Sequence, residues 1–176
     1  MTQNRVIVRD SLEHIGVSGD GNILLASLAR GQLSRVSVPE RQVRPISQRS
    51  AAIESIAMNF NGSRAITRIS GSGDAVQVWD VNRGQLLGSL AAASDVTDLA
   101  FAERDRLIVT GSADHLRYWD ASTMQSYARV ACNATVLAAS RDGTLIATGG
   151  SEIEDNNCVI RVWQLTKPAS DPGPSE

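Results

Sequence analysis

Lysine is almost missing from this chain. Of its 17 basic residues only Lys167 is not an arginine, and with 19 acidic residues the net charge is −2. No basic field is left to attract nucleic acid or an anionic membrane surface, so neither is expected as a partner. The arginine bias, beside abundant alanine, reads as a coding preference and not as a phosphate-binding design. Long apolar runs are missing too. None approaches the roughly 18 residues of a membrane span, and Met1-Thr2-Gln3-Asn4-Arg5 lacks the apolar stretch of a secretory leader. Cysteine is scarce: Cys132 and Cys158 are too few for a disulfide framework and too isolated for a zinc site. They read as small buried hydrophobes in a reducing compartment. The expectation is a soluble, cytoplasmic, single-domain chain of 176 residues, long enough for a real core.

Helical periodicity is the next absence. What is present is a phrase that recurs. Val76-Gln77-Val78-Trp79-Asp80 returns as Leu116-Arg117-Tyr118-Trp119-Asp120 and again as Ile160-Arg161-Val162-Trp163-Gln164, and these hold all three tryptophans. Spacings of about 40 residues mark a repeat architecture. Around each phrase lie short alternating strands bounded by turn dipeptides. They are expected at 53–60, 64–70, 76–79 and 85–90, then at 96–102, 107–112, 116–119 and 127–131, and finally at 134–139, 145–149 and 159–165. A fainter copy occupies 13–18, 23–29, 33–38 and 42–46, where Pro45 suits a sheet edge. Arg5–Arg9 is a further short strand without a neighbour, and residues 167–176 form a Pro-rich polar tail expected to be disordered. Regularly spaced strands with turn signals indicate an all-β protein.

Four antiparallel strands per repeat of about 40 residues is the unit of a propeller blade. The chain resembles the WD-repeat β-propeller family through Trp79-Asp80, Trp119-Asp120, the turns Gly71-Ser72-Gly73-Asp74 and Gly111-Ser112-Ala113-Asp114, and the variant Trp163-Gln164. The resemblance implies an all-β partial propeller of about four blades, at 13–47, 53–90, 96–131 and 134–165, within a segment spanning 1–166. It assigns a structural blade motif to Asp74, Trp79, Asp80, Thr110, Ser112, Asp114, Trp119, Asp120 and Trp163, with Thr110 or Ser112 supplying the hydroxyl. The family's histidine before the first strand is missing, since Ala91-Ala92-Ala93 or Ala131-Cys132-Asn133 stands there. The aspartates are therefore expected at the blade rim, partly solvated, met only by backbone or indole N–H groups.

Family members usually close a ring with more blades, and the last unit has three strands instead of four. Three arrangements follow: the C-terminal part of a larger propeller, a pair of chains closing four plus four blades with each 5–9 strand completing the other chain, or a four-bladed ring.

No catalytic, cofactor or metal set emerges. His115 reads as a solvated turn residue beside Asp114, with no nucleophile placed by motif. Gly16-Val17-Ser18-Gly19 falls short of a nucleophile elbow, and Gly71-Ser72-Gly73-Asp74 lacks the lysine and following helix of a phosphate loop. One turn is longer than its counterparts. Its Glu152, Glu154 and Asp155 make a candidate partner loop for a basic surface or a weakly held cation, against the blander reading of a solvated acidic turn. The expected function is a non-enzymatic interaction scaffold that binds a protein or peptide by its loops. The alternative is a C-terminal sensor or regulatory fragment of a larger signalling protein or NTPase. Missing blades from another chain, or a homodimer, are the further expected partners.

Overall fold

A computed structural model describes residues 10–47, 51–71, 76–91, 95–140, 142–152 and 157–165. The expected strand at 5–9, Asp74, Glu154, Asp155 and the tail 167–176 lie outside the described residues.

Among the described residues, all regular structure is strand apart from one short 3-10 turn at Ala29–Gly31. The first blade contains β1 (Leu12–Val17), β2 (Ile23–Leu28), β3 (Gln32–Ser37) and β4 (Gln42–Pro45). The second contains β5 (Ile53–Met58), β6 (Arg64–Ile69), β7 (Val76–Asp80) and β8 (Gln85–Ser89). The third contains β9 (Asp98–Ala102), β10 (Leu107–Gly111), β11 (His115–Asp120) and β12 (Ser126–Ala131). The fourth has three described strands, β13 (Val136–Ala139), β14 (Leu145–Glu152) and β15 (Asn157–Gln164). Each sheet is an antiparallel meander in chain order, and the four do not close into a ring. Pro45 ends β4 at a sheet edge, where the N–H that proline lacks has no ladder partner to serve.

Neighbouring blades touch through their first strands: β1 against β5, β5 against β9, and β9 against β13. These line the inner side of the arc. Antiparallel order then fixes the two ends. First-to-second and third-to-fourth strand turns lie at one end, the lower. Second-to-third turns and the loops between blades lie at the upper.

The core is three repeats of one interface. Side chains alternate between the two faces of a strand, so each blade has a front and a back. Ile66, Val76 and Val78 on the front of blade 2 meet Leu99, Phe101, Ile108 and Trp119 on the back of blade 3. Leu25 and Leu33 of blade 1 likewise meet Ile53, Ala65 and Trp79, and Val109, Leu116 and Tyr118 of blade 3 meet Leu137, Ile146 and Trp163. Every tryptophan therefore looks back at the preceding blade. Each fully buried aliphatic side chain contributes roughly 1.5–3 kcal/mol against exposure, which is why no blade stands alone.

Blade 1 spells this phrase differently. Its positions equivalent to Thr67 and Trp79 are Ala26 and Val36, by strand register. Even so, β1 and β5 share a register shift at the same place, between Leu12 and His14 and between Ile53 and Ser55.

Candidate functional site

At the lower end, four first-to-second strand turns follow one another along the inner rim. Three use a common device. Ser18 Oγ donates to Asp20 Oδ1 at 2.6 Å and accepts from Ile23 N at 3.0 Å; Ser140 and Asp142 repeat this, with Leu145 N as donor. In blade 2, Asn59 and Asn61 play the same parts. The hydroxyl donors hold the Asp20 and Asp142 carboxyls below the usual carboxylate range. A glycine at positive φ completes each: Gly21, Gly62 and Gly143.

Blade 3 has no such glycine. Glu103, Arg104 and Asp105 all adopt the left-handed region, with φ of 47°, 52° and 70°, a conformation non-glycine residues hold only when surroundings enforce it. Here those surroundings are the adjoining turns. Asp105 Oδ1 accepts from Phe60 N at 3.1 Å, Asp105 Oδ2 accepts from Asn59 Nδ2 at 3.3 Å, and Glu103 N donates to Gly143 O at 2.7 Å. Asp20 N donates to Phe60 O at 2.9 Å, so the four turns form one hydrogen-bonded row. The row borders a cleft of about 210 Å³ lined by Val17, Met58, Phe60, Phe101, Asp105 and Ser140, residues of all four blades. Phe60 is 42% exposed there. A similar hollow past Arg104 and Gly143 shares Phe60, Phe101, Asp105 and Ser140. The sequence gives one signal for this feature: a turn, Glu103-Arg104-Asp105-Arg106, without the glycine its three counterparts have.

At the upper end, polar groups gather on the second-to-third strand turn of blade 3. Ser112 Oγ donates to Asp114 Oδ1 at 2.8 Å and lies 2.9 Å from His115 Nδ1, which also contacts Asp114 Oδ1 closely. Arg129 Nη2 donates to Asp114 Oδ2 at 3.1 Å, and Asp95 Oδ2 lies 3.7 Å from His115 Nδ1. The Ser112 hydroxyl, then His115 and Arg129, lower the pKa of Asp114. Two expectations are corrected here. His115 is not a solvated turn residue; it opens β11 and is 4% exposed, because its ring is held between Ser112 and the two carboxylates. Nor is Asp114 met only by backbone or indole N–H groups, since side chains of Ser112, His115 and Arg129 meet it. Asp95, Asp114 and His115 hold three ligand-type atoms within 4.8 Å of one another. Arg129 already supplies positive charge to Asp114, so the cluster balances as a joint between turn and fourth strand.

The indoles go elsewhere. Trp79 Nε1 donates to Thr67 Oγ1 at 3.0 Å, Trp119 Nε1 to Thr110 Oγ1 at 2.9 Å and Trp163 Nε1 to Thr148 Oγ1 at 3.0 Å. The aspartates that follow two of them, Asp80 and Asp120, tie the third-to-fourth strand turns. Asp80 accepts from Arg83 N at 2.9 Å; Asp120 accepts from Ser122 N at 2.9 Å and Thr123 N at 2.8 Å, and its pKa is lowered to about 2, chiefly by the Ser122 hydroxyl.

The lengthened turn of the last blade is a lengthened hairpin. β14 and β15 have eight residues each, against five or six in their counterparts, and the ladder continues to the Glu152–Asn157 pair. Cys158, expected to be buried, is exposed on β15, and Cys132 is partly buried. Among the described residues, no fifth blade covers the Cys158 face.

Residues 84–120 match the family model "WD domain, G-beta repeat". No curated protein matches the chain in sequence. Among solved structures, a chain of hydrazine synthase from Kuenenia stuttgartiensis is similar with a TM-score of 0.71 at 15% identity, over 92% of this chain and 48% of that one. A chain of a mitotic checkpoint complex is similar with a TM-score of 0.68 at 19% identity, over 90% and 48%. The chain thus spans about half the length of these solved chains. Residues 84–120 thus match one WD repeat, and the chain folds as an open arc of four propeller blades.

Proposed function

We propose that the chain is a non-enzymatic interaction scaffold that takes a peptide segment of a protein partner in the lower-end cleft. The observation that carries this is the row of four interlocked turns around Phe60, Phe101 and Asp105. It offers an apolar floor fixed by hydrogen bonds that cross from blade to blade. Rigid turns holding one exposed aromatic ring suit an apolar anchor side chain, because little ordering is left for binding to impose. One similar chain comes from a checkpoint complex, which agrees with a role in protein assembly. Another comes from a synthase, so the fold by itself does not separate scaffold from enzyme. Cys132 and Cys158 are free thiols, and a reducing cytoplasm is the setting we assign. No described helix is long and apolar enough to cross a membrane. A second reading, a regulatory segment of a larger signalling protein or NTPase, is favoured by the 48% coverage of both similar chains.

The test selects peptides from a displayed random library against the purified chain and measures their affinity by fluorescence anisotropy. Phe60→Ser is expected to weaken the selected peptides about tenfold, the order of one lost anchor of 1–2 kcal/mol. Tyr127→Ser, on the outer strand of blade 3, is expected to leave them unchanged. Peptides that bind all three proteins equally would sink the proposal.

A further inference from the structure

The front face of blade 4 is built like the fronts of blades 2 and 3 but, among the described residues, has no blade packed against it. Strand register makes Ile160 equivalent to Val76 and Leu116, and Val162 equivalent to Val78 and Tyr118. The four interior residues are 0%, 0%, 0% and 6% exposed; Ile160 is 79% exposed and Val162 67%. Val136 and Leu145, which register places on the same face, are exposed at 62% and 41%. Ala147, paired with Val162, lies between them. An exposed apolar patch of this kind marks an interface.

We infer that this face docks the same face of a second copy, so that two fourth blades stack as a sandwich. Two observations select that occupant. First, the face carries no charged side chain among Val136, Ala147, Ile160 and Val162, so it can meet its own image without like-charge repulsion, as an isologous two-fold contact requires. Second, the head-to-tail alternative is disfavoured by the other end of the chain. A front face elsewhere receives an indole-bearing back, whereas blade 1 has Val36 and Ala26 at the indole and hydroxyl positions. Its back is already buried at Ala26 (4%), Ser34 (2%) and Val36 (3%). The strands at its two edges remain open, with Ile15 of β1 at 51% and Val43 of β4 at 38%, but the middle strands that would have to receive Ile160 and Val162 are the covered part. Sheets packed face to face lie about 10 Å apart with interdigitating aliphatic side chains, and branched residues in short rows suit that.

Light scattering of the full 176-residue chain over a concentration series tests this. The expected mass is twice the 18.8 kDa of one chain. Val162→Asp and Ile160→Asp are each expected to return the single-chain mass with an unchanged far-ultraviolet spectrum, since both side chains point into solvent in one copy. Ile15→Asp is expected to leave the pair intact. A single-chain mass for the unmodified protein at about 100 µM, far above a micromolar dissociation constant, overturns the inference and leaves the face to a blade from another polypeptide. A pair that survives Val162→Asp overturns it too. A pair lost with Ile15→Asp as well as Val162→Asp means head-to-tail closure instead. None of these outcomes bears on peptide affinity at Phe60.

Discussion

Thr110→Val keeps the volume of the side chain and removes the oxygen that the Trp119 indole uses. Both residues are buried, at 1% each, so the variant leaves a buried donor unmet, at about 1–3 kcal/mol. Blade 1 shows how the chain itself avoids that state: Ala26 and Val36 remove hydroxyl and indole together. Thr110→Val with Trp119→Phe is therefore expected to destabilise by less than the sum of the single changes, with a coupling of about 1 kcal/mol in urea unfolding. Strict additivity would mean the indole–hydroxyl bond does nothing for stability. Asp120 yields a prediction with a pH signature. Its folded pKa, about 2, lies below the ordinary 3.8, so its contribution is fully present above the ordinary value and is lost as pH falls through about 2. The melting temperature of the unmodified chain is expected to exceed that of Asp120→Ala at pH 6, and the gap should close between pH 4 and pH 2. A gap constant over that range would mean the carboxylate charge is not what ties the turn.

The turns between strands differ in how much they tolerate, and two glycines separate backbone strain from crowding. Gly21 adopts φ +75° with nothing near the position of a Cβ, whereas a Cβ on Gly111 would lie 2.1 Å from the Ala134 carbonyl oxygen. Gly21→Ala is expected to cost about 1 kcal/mol through its backbone alone. Gly111→Ala is expected to cost more, about 1–3 kcal/mol, by pushing the loop into blade 4 away. Thermal melts decide the order, and a larger loss for Gly21→Ala would contradict it. At this scale the sequence was informative wherever the element is local. Alternation and turn dipeptides located all fifteen described strands, because strand periodicity and hairpin chemistry are properties of a few neighbouring residues. The lower-end cleft and the upper-end cluster were not legible. Asp105 meets Phe60 across 45 residues, from one blade to the next, Asp95 meets His115 across 20 within blade 3, and no local pattern announces contacts between residues so far apart in the chain. His115 was misread for that reason: next to a turn, a histidine looks solvated until Asp95 and Arg129 are brought around it.

A stack of blades in which each touches only its neighbours is close to a one-dimensional array, whose stability is a sum of unit and interface terms. Blades 2 and 3 have both faces covered, while blade 4 is held by its back face and its first strand alone. Hydrogen exchange followed by mass spectrometry is expected to show β13, β14 and β15 opening before β6, β7, β10 and β11. Simultaneous exchange of all four blades would show a single cooperative unit instead. The asymmetry between the ends of the array has one more consequence. A row of units with a sticky face at each end would polymerise without limit, since every addition regenerates the site that recruited it. In this chain the two ends are unlike: the middle strands of the first blade's back are shut at Ala26, Ser34 and Val36, whereas the last blade's front is bare at Ile160 and Val162. Growth through that front therefore terminates after one event, and the four-blade arc can carry a large apolar face without seeding a fibre.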